Sequence, residues 1–125
     1  MAIRQIKFFM QPPTASLLPP TDAALEMIAA RFRALAEPMR LRLLHLLMLR
    51  ERTVGQLAEA SGSGQANVSK HLAVLRQGGM VGTRKQGLNT VCFIADPLVK
   101  QLCDMMCHHL RAEMSSKALA FDPRI

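Results

Sequence analysis

The chain of 125 residues has no tryptophan, no tyrosine and only five phenylalanines. Its core must therefore be built from Leu, Met, Ala and Val. Three cysteines, Cys92, Cys103 and Cys107, are too few and too clustered for the disulfide framework of a small secreted protein, which points to a reducing, cytoplasmic setting. No apolar run reaches membrane-spanning length; the richest, residues 41–49, is short and carries Arg42 and His45. Residues 3–10 are basic and amphipathic through Arg4 and Lys7, but no small-residue cleavage site follows, so no signal peptide is read there. Acidic charge is also scarce. Nine Asp and Glu stand against sixteen Lys and Arg, and the formal net charge of +7 favours a polyanionic partner.

The length fits one domain, small enough for a dimer interface to help stabilise it. Residues 1–20 are punctuated by Pro12, Pro13, Pro19 and Pro20 and are expected to form a flexible arm. Its alternative role is to pack on a dimer or to reach DNA through Arg4 and Lys7. The domain itself is expected over 21–118, with a short tail at 119–125. Thr21 or Asp22 can cap a first helix, on which Leu25, Ile28, Phe32 and Leu35 form one apolar stripe. Glu37-Pro38 ends it, and Pro38 suits the first turn of a second helix reaching about Leu49. That helix is apolar on nearly every side, so it should lie deepest.

Thr53 and Gln56 have the spacing of a capping box and open a short third helix. Gly62 and Gly64 supply a turn, and a fourth helix runs from Gln65 to about Gln77, where Gly78-Gly79 stops it. Residues 80–85 and 89–94 alternate around Gln86-Gly87-Leu88, the pattern of a hairpin. Asp96-Pro97 then starts a fifth helix reaching about Lys117. Two short helices across a tight turn, followed by a hairpin, predict a mainly α winged helix-turn-helix with five core helices and a small β wing.

On the fourth helix Val68, Leu72 and Leu75 share one face and should dock on the second and third helices. The other face offers Ala66, Lys70, Ala73 and Gln77, flanked by Asn67 and Ser69. Gln65 or Asn67 can pair with adenine, Lys70 can reach guanine or a phosphate, and Ala66 suits a thymine methyl. Ser69 and His71 suit phosphate oxygens. Arg84 and Lys85 precede the hairpin turn and Asn89 follows it, where a charged tip can track the backbone or enter the minor groove. Double-stranded DNA is the expected partner.

From about Ala24 to Leu110 the chain resembles the ArsR/SmtB family of small bacterial repressors. The resemblance is carried by Arg33-Ala34-Leu35-Ala36-Glu37-Pro38-Met39-Arg40-Leu41-Arg42-Leu43-Leu44, by Thr53-Val54-Gly55-Gln56-Leu57-Ala58, and by Gln65-Ala66-Asn67-Val68-Ser69-Lys70-His71-Leu72. It continues through Leu75, Gly79-Met80-Val81, Arg84, Gly87 and Ala95-Asp96-Pro97. It implies a homodimer made through the first and last helices, bound to an inverted repeat and released by an effector. The family's sensor sites match less well. The third helix lacks the Cys-x-Cys of arsenic- and cadmium-type sites, and Asp104-Met105-Met106 departs from the Asp-x-His that opens zinc-type sites. Where persulfide-sensing relatives place a second-helix cysteine, this chain has His45.

What remains is Cys103-Asp104-Met105-Met106-Cys107-His108-His109 on the fifth helix. Cys103 and Cys107 lie four apart on one face. With His108 or a partner's thiol they form a tentative sensor for a thiophilic ion such as arsenite, zinc or copper(I), or for a redox or persulfide modification. Buried cysteine is equally a common inert filler, which leaves packing as the other reading. An enzyme using Cys107 and His108 is disfavoured, because adjacent helix residues point about 100° apart. The expected function is a sequence-specific DNA-binding transcriptional repressor. The alternative is a winged-helix module that meets protein rather than DNA.

Overall fold

The computed structural model describes residues 18–115. The expectations for the arm before residue 18 and the tail after 115 lie outside them. The chain divides into two compact units inside its first helix, between Arg31 and Phe32. That helix, α1, spans Asp22–Leu35. At its start the Ala24 N–H donates to the Thr21 hydroxyl at 3.1 Å, the side-chain cap expected of Thr21. Leu25, Met27 and Ile28 remain exposed along it.

In the second unit, α2 (Pro38–Leu49) begins with Glu37, whose carboxylate accepts the Arg40 N–H at 3.0 Å, and with proline in the first turn. Leu43, Leu44 and Leu47 are buried and Leu49 is exposed, so α2 is central without being sealed at its end. A strand of two residues follows, β1 (Arg52–Thr53). Thr53 also caps α3 (Val54–Ser61): its hydroxyl accepts the Gln56 N–H at 3.1 Å, while its own N–H donates to the Gln56 side chain at 2.9 Å. Gly62 closes α3 in the left-handed region, at φ 73°.

Helix α4 (Gln65–Gln77) ends at Gly78-Gly79, and β2 (Val81–Gln86) and β3 (Asn89–Ile94) form the hairpin. Their register pairs Val81 with Ile94 and Gln86 with Asn89, leaving Gly87-Leu88 as a two-residue turn. The positive φ of Gly87 is what a type II′ turn requires of its first central residue. The wing is larger than the hairpin expected. β1 pairs along the far side of β3, giving a three-stranded antiparallel sheet in the order β1-β3-β2. Two residues carry too little alternation to announce a strand.

Asp96 starts α5 (Pro97–Glu113) by accepting the Leu98 N–H at 3.0 Å, with Pro97 next to it. The helix stops short of the expected Lys117. Leu43, Leu44, Leu57, Val68, Leu75 and Cys92 are the most completely buried side chains, which makes the centre aliphatic, as the missing aromatics demand. Each buried leucine contributes roughly 1.5–3 kcal/mol of transfer free energy. The cluster holds α2, α3, α4 and the sheet together.

Candidate nucleic-acid interface

The polar side of α4 is open. Gln65, Ala66, Asn67, Ser69, Lys70 and Ala73 are all exposed, while Val68, Leu72 and Leu75 are buried beneath them. The Asn67 amide donates to the Ser63 hydroxyl at 2.8 Å, tying the first turn of α4 to the loop after α3. Arg76, exposed in the last turn, adds a cation that the sequence reading left out. Its exposed position beside Gln77 was the available signal.

His71 needs correction. It was expected to reach a phosphate, yet it is buried, with its ring against α2. Its Nδ1 lies 3.3 Å from the Arg40 Nη1 and 3.8 Å from the Glu37 carboxylate. A guanidinium can only donate, so the nearer Arg40 takes Nδ1 as acceptor, and Glu37 at 3.8 Å is beyond hydrogen-bond length. Arg40 also donates from Nε to the Ala34 carbonyl at 2.6 Å and from Nη2 to the Arg33 carbonyl at 3.2 Å. One side chain thus caps the end of α1 and holds α4 against α2. Buried and held through Nδ1, His71 helps position the recognition helix instead of standing with the exposed polar residues of α4.

The wing presents Lys85 and Asn89 at its exposed end, with the Lys85 ammonium 3.1 Å from the Thr90 hydroxyl across the hairpin. Arg84 is exposed but engaged. It pairs with Glu51 at 2.5 Å and lies over the Phe93 ring, 5.7 Å from its centroid. The hydrogen bond from Arg84 holds the Glu51 carboxyl below its ordinary range, and Glu51 raises Arg84 in return. Phe93 can come this close because its opposite residue is Gly82. A Cβ there would stand 2.6 Å from the ring.

The cysteines separate into two kinds. Cys92 and Cys103 are buried, and burial pushes both thiols up from their ordinary value. Cys107 is partly exposed, and its Sγ lies 3.3 Å from the Nε2 of His45 on α2. His45 is half-buried and hydrogen-bonded within α2. The bond runs from Nδ1 to the Leu41 carbonyl at 2.8 Å, but the other nitrogen faces a thiol 62 residues away, which no local pattern announces. His108 is exposed, and His109 pairs instead with Glu113 at 2.6 Å. Among the described residues no three His, Cys, Asp or Glu side chains come together to hold a metal. The expected set of Cys103, Cys107 and His108 is therefore not assembled within one chain, because neighbouring positions on α5 point in different directions.

No helix among the described residues is long and apolar enough to cross a membrane. Residues 37–83, from the cap of α2 through α4 into the wing, match the family model for bacterial regulatory proteins of the arsR family. An uncharacterized HTH-type transcriptional regulator of Mycobacterium tuberculosis, Rv0081, is 40% identical over 83 residues, covering 66% of this chain and 73% of the relative. Its crystal structure superposes with a TM-score of 0.69 over 78% of this chain and 98% of that one, at 33% identity. A transcriptional repressor SmtB homolog of Synechocystis is 37% identical over 109 residues, 87% of this chain and 76% of the relative. The homodimeric winged helix-turn-helix domain of Mb0332 from Mycobacterium bovis gives a TM-score of 0.67 over 82% of this chain and 96% of its own, at 29% identity. The chain belongs to the ArsR/SmtB family and is a winged helix-turn-helix transcriptional regulator.

Proposed function

We propose that two copies of this chain clamp an inverted-repeat operator, with one α4 in each of two successive major grooves about 34 Å apart. The observation that carries this reading is the open face of α4. Gln65, Ala66, Asn67, Ser69 and Lys70 stand exposed together on a helix whose opposite side is sealed in the core. Lys85, Asn89 and, once it leaves Glu51, Arg84 follow the flanking backbone. The homodimer is supported by large apolar side chains left exposed on the two helices expected at the seam. These are Leu25, Ile28 and Phe32 on α1, and Leu98, Met106 and Leu110 on α5. The setting is the cytoplasm, where the operator is.

Release by an effector at the last helix completes the reading. Of the two effector classes raised by the sequence, the residues of one chain favour a thiol-reactive compound over a chelated ion. Cys107 is partly exposed beside a histidine, whereas among the described residues no three metal ligands meet. The test is fluorescence anisotropy of the labelled region upstream of its own gene, over a range of salt. Tight binding that weakens steeply with salt, and exceeds binding to random DNA, is expected. Salt-insensitive or absent binding would overturn the operator reading in favour of a protein-contact module.

A further inference from the structure

Cys107 and His45 are paired across α5 and α2, and nothing in the DNA-reading surface uses them. A carbonyl oxygen can only accept, so the 2.8 Å bond to Leu41 places the proton of His45 on Nδ1. The lone pair of Nε2 then faces Cys107 Sγ at 3.3 Å. This is a nucleophile and a base in hydrogen-bond contact, with the base oriented by a third group. The second thiol of the helix is not a partner for it. Cys103 is buried one turn away, and a regular helix holds such a pair near the outer limit for a disulfide. Chemistry here is therefore one-thiol chemistry, taking its other sulfur from outside the chain.

We infer that Cys107 is a site of reversible S-thiolation, in which His45 serves as the base and a small-molecule disulfide is the co-reactant. The thiol proton passes to Nε2 of His45 as Sγ attacks one sulfur of the disulfide. A bond forms between Sγ and that sulfur, and the original S–S bond breaks. The departing thiolate takes the proton back from His45 and leaves as a thiol. Cys107 is oxidised, one half of the small disulfide is reduced, and a thiol in excess reverses the exchange. The adduct replaces the Cys107–His45 hydrogen bond with bulk between α5 and α2. The same α2 holds the recognition helix through Arg40 and His71, so the adduct loosens operator binding. This last step rests on the reading of the chain as an operator-binding regulator.

The test incubates the reduced full-length protein with oxidised glutathione and follows the adduct and its position by mass spectrometry. Operator anisotropy is measured on the same samples. One adduct, on Cys107, is expected in the unaltered protein and in Cys103→Ser, and none there in Cys107→Ser. His45→Gln, checked for folding by circular dichroism, should slow the reaction about tenfold or more. Operator binding should weaken on modification and return with dithiothreitol. An adduct placed mainly on Cys92 or Cys103 would overturn the proposal. So would an unchanged rate in folded His45→Gln, or unchanged operator affinity after full modification of Cys107. If the unmodified protein does not bind the operator at all, the operator reading fails, and the position and rate of the adduct still decide the site.

Discussion

Helices α4 and α5 both carry apolar residues at helical spacing, and the fold treats them differently. The thirteen residues of α4 bury Val68, His71, Leu72 and Leu75, a full face at spacings of three and four. The seventeen residues of α5 bury only Val99 and Cys103, and Leu98, Met105, Met106 and Leu110 stay exposed. The pose of α4 is therefore set by its own chain, and its outer side is free to be polar and to read a ligand. The pose of α5 is half determined by its own chain, so it answers to whatever covers it or is attached to it. The inner face of the reading helix is fully packed by its own chain, and that of α5 is not.

Substitutions at matching depths break or sharpen this contrast. Leu75→Ala empties a fully buried position on α4 and should cost about 2–5 kcal/mol, seen as a lower urea midpoint. Leu110→Ala on α5 should change stability by no more than about 0.5 kcal/mol when measured on dilute, monomeric protein, while raising the concentration needed for dimer formation in sedimentation. Equal costs at the two sites would erase the difference between the helices. Lys70→Ala should leave the midpoint alone and weaken operator binding about uniformly across sequences. It should also reduce the salt slope by about one.

The smallest effect is expected at the wing. Glu51→Gln removes the partner of Arg84, both groups lying at the surface, so the melting temperature should not move. Operator binding at low salt should strengthen instead, because Arg84 no longer has to leave a carboxylate. The pH dependence has a definite sign. Arg84 holds the folded-state value of Glu51 below its ordinary one, so the pair is intact above the usual carboxylate range and is lost as pH falls through the lowered value. Wild type and Glu51→Gln should accordingly differ at neutral pH and converge in acid.

Features written within a few residues were legible in the sequence. Thr53 with Gln56, Asp96 with Pro97 and Glu37 with Pro38 start their helices as expected, because a cap is satisfied by atoms three residues away. His71 was misassigned although its position was readable. It stands three after Val68 and four before Leu75, which places it on the inner face, and its polar ring argued the wrong way. β1 and the Cys107–His45 pair were not legible, since each depends on a partner far along the chain that only folding brings near. The end of α5 was overestimated because no stop signal stands at Glu113, such as the glycines that close α3 and α4.

Thr53 belongs to two structures at once, as the last residue of β1 and the cap of α3. The sheet and the helix-turn-helix therefore share a covalent joint with no slack in it, and the strand beside it, β3, carries the wing. The wing and the recognition helix behave as the tines of a single fork. In the dimer proposed above, what this joint leaves free is the angle between one fork and the other.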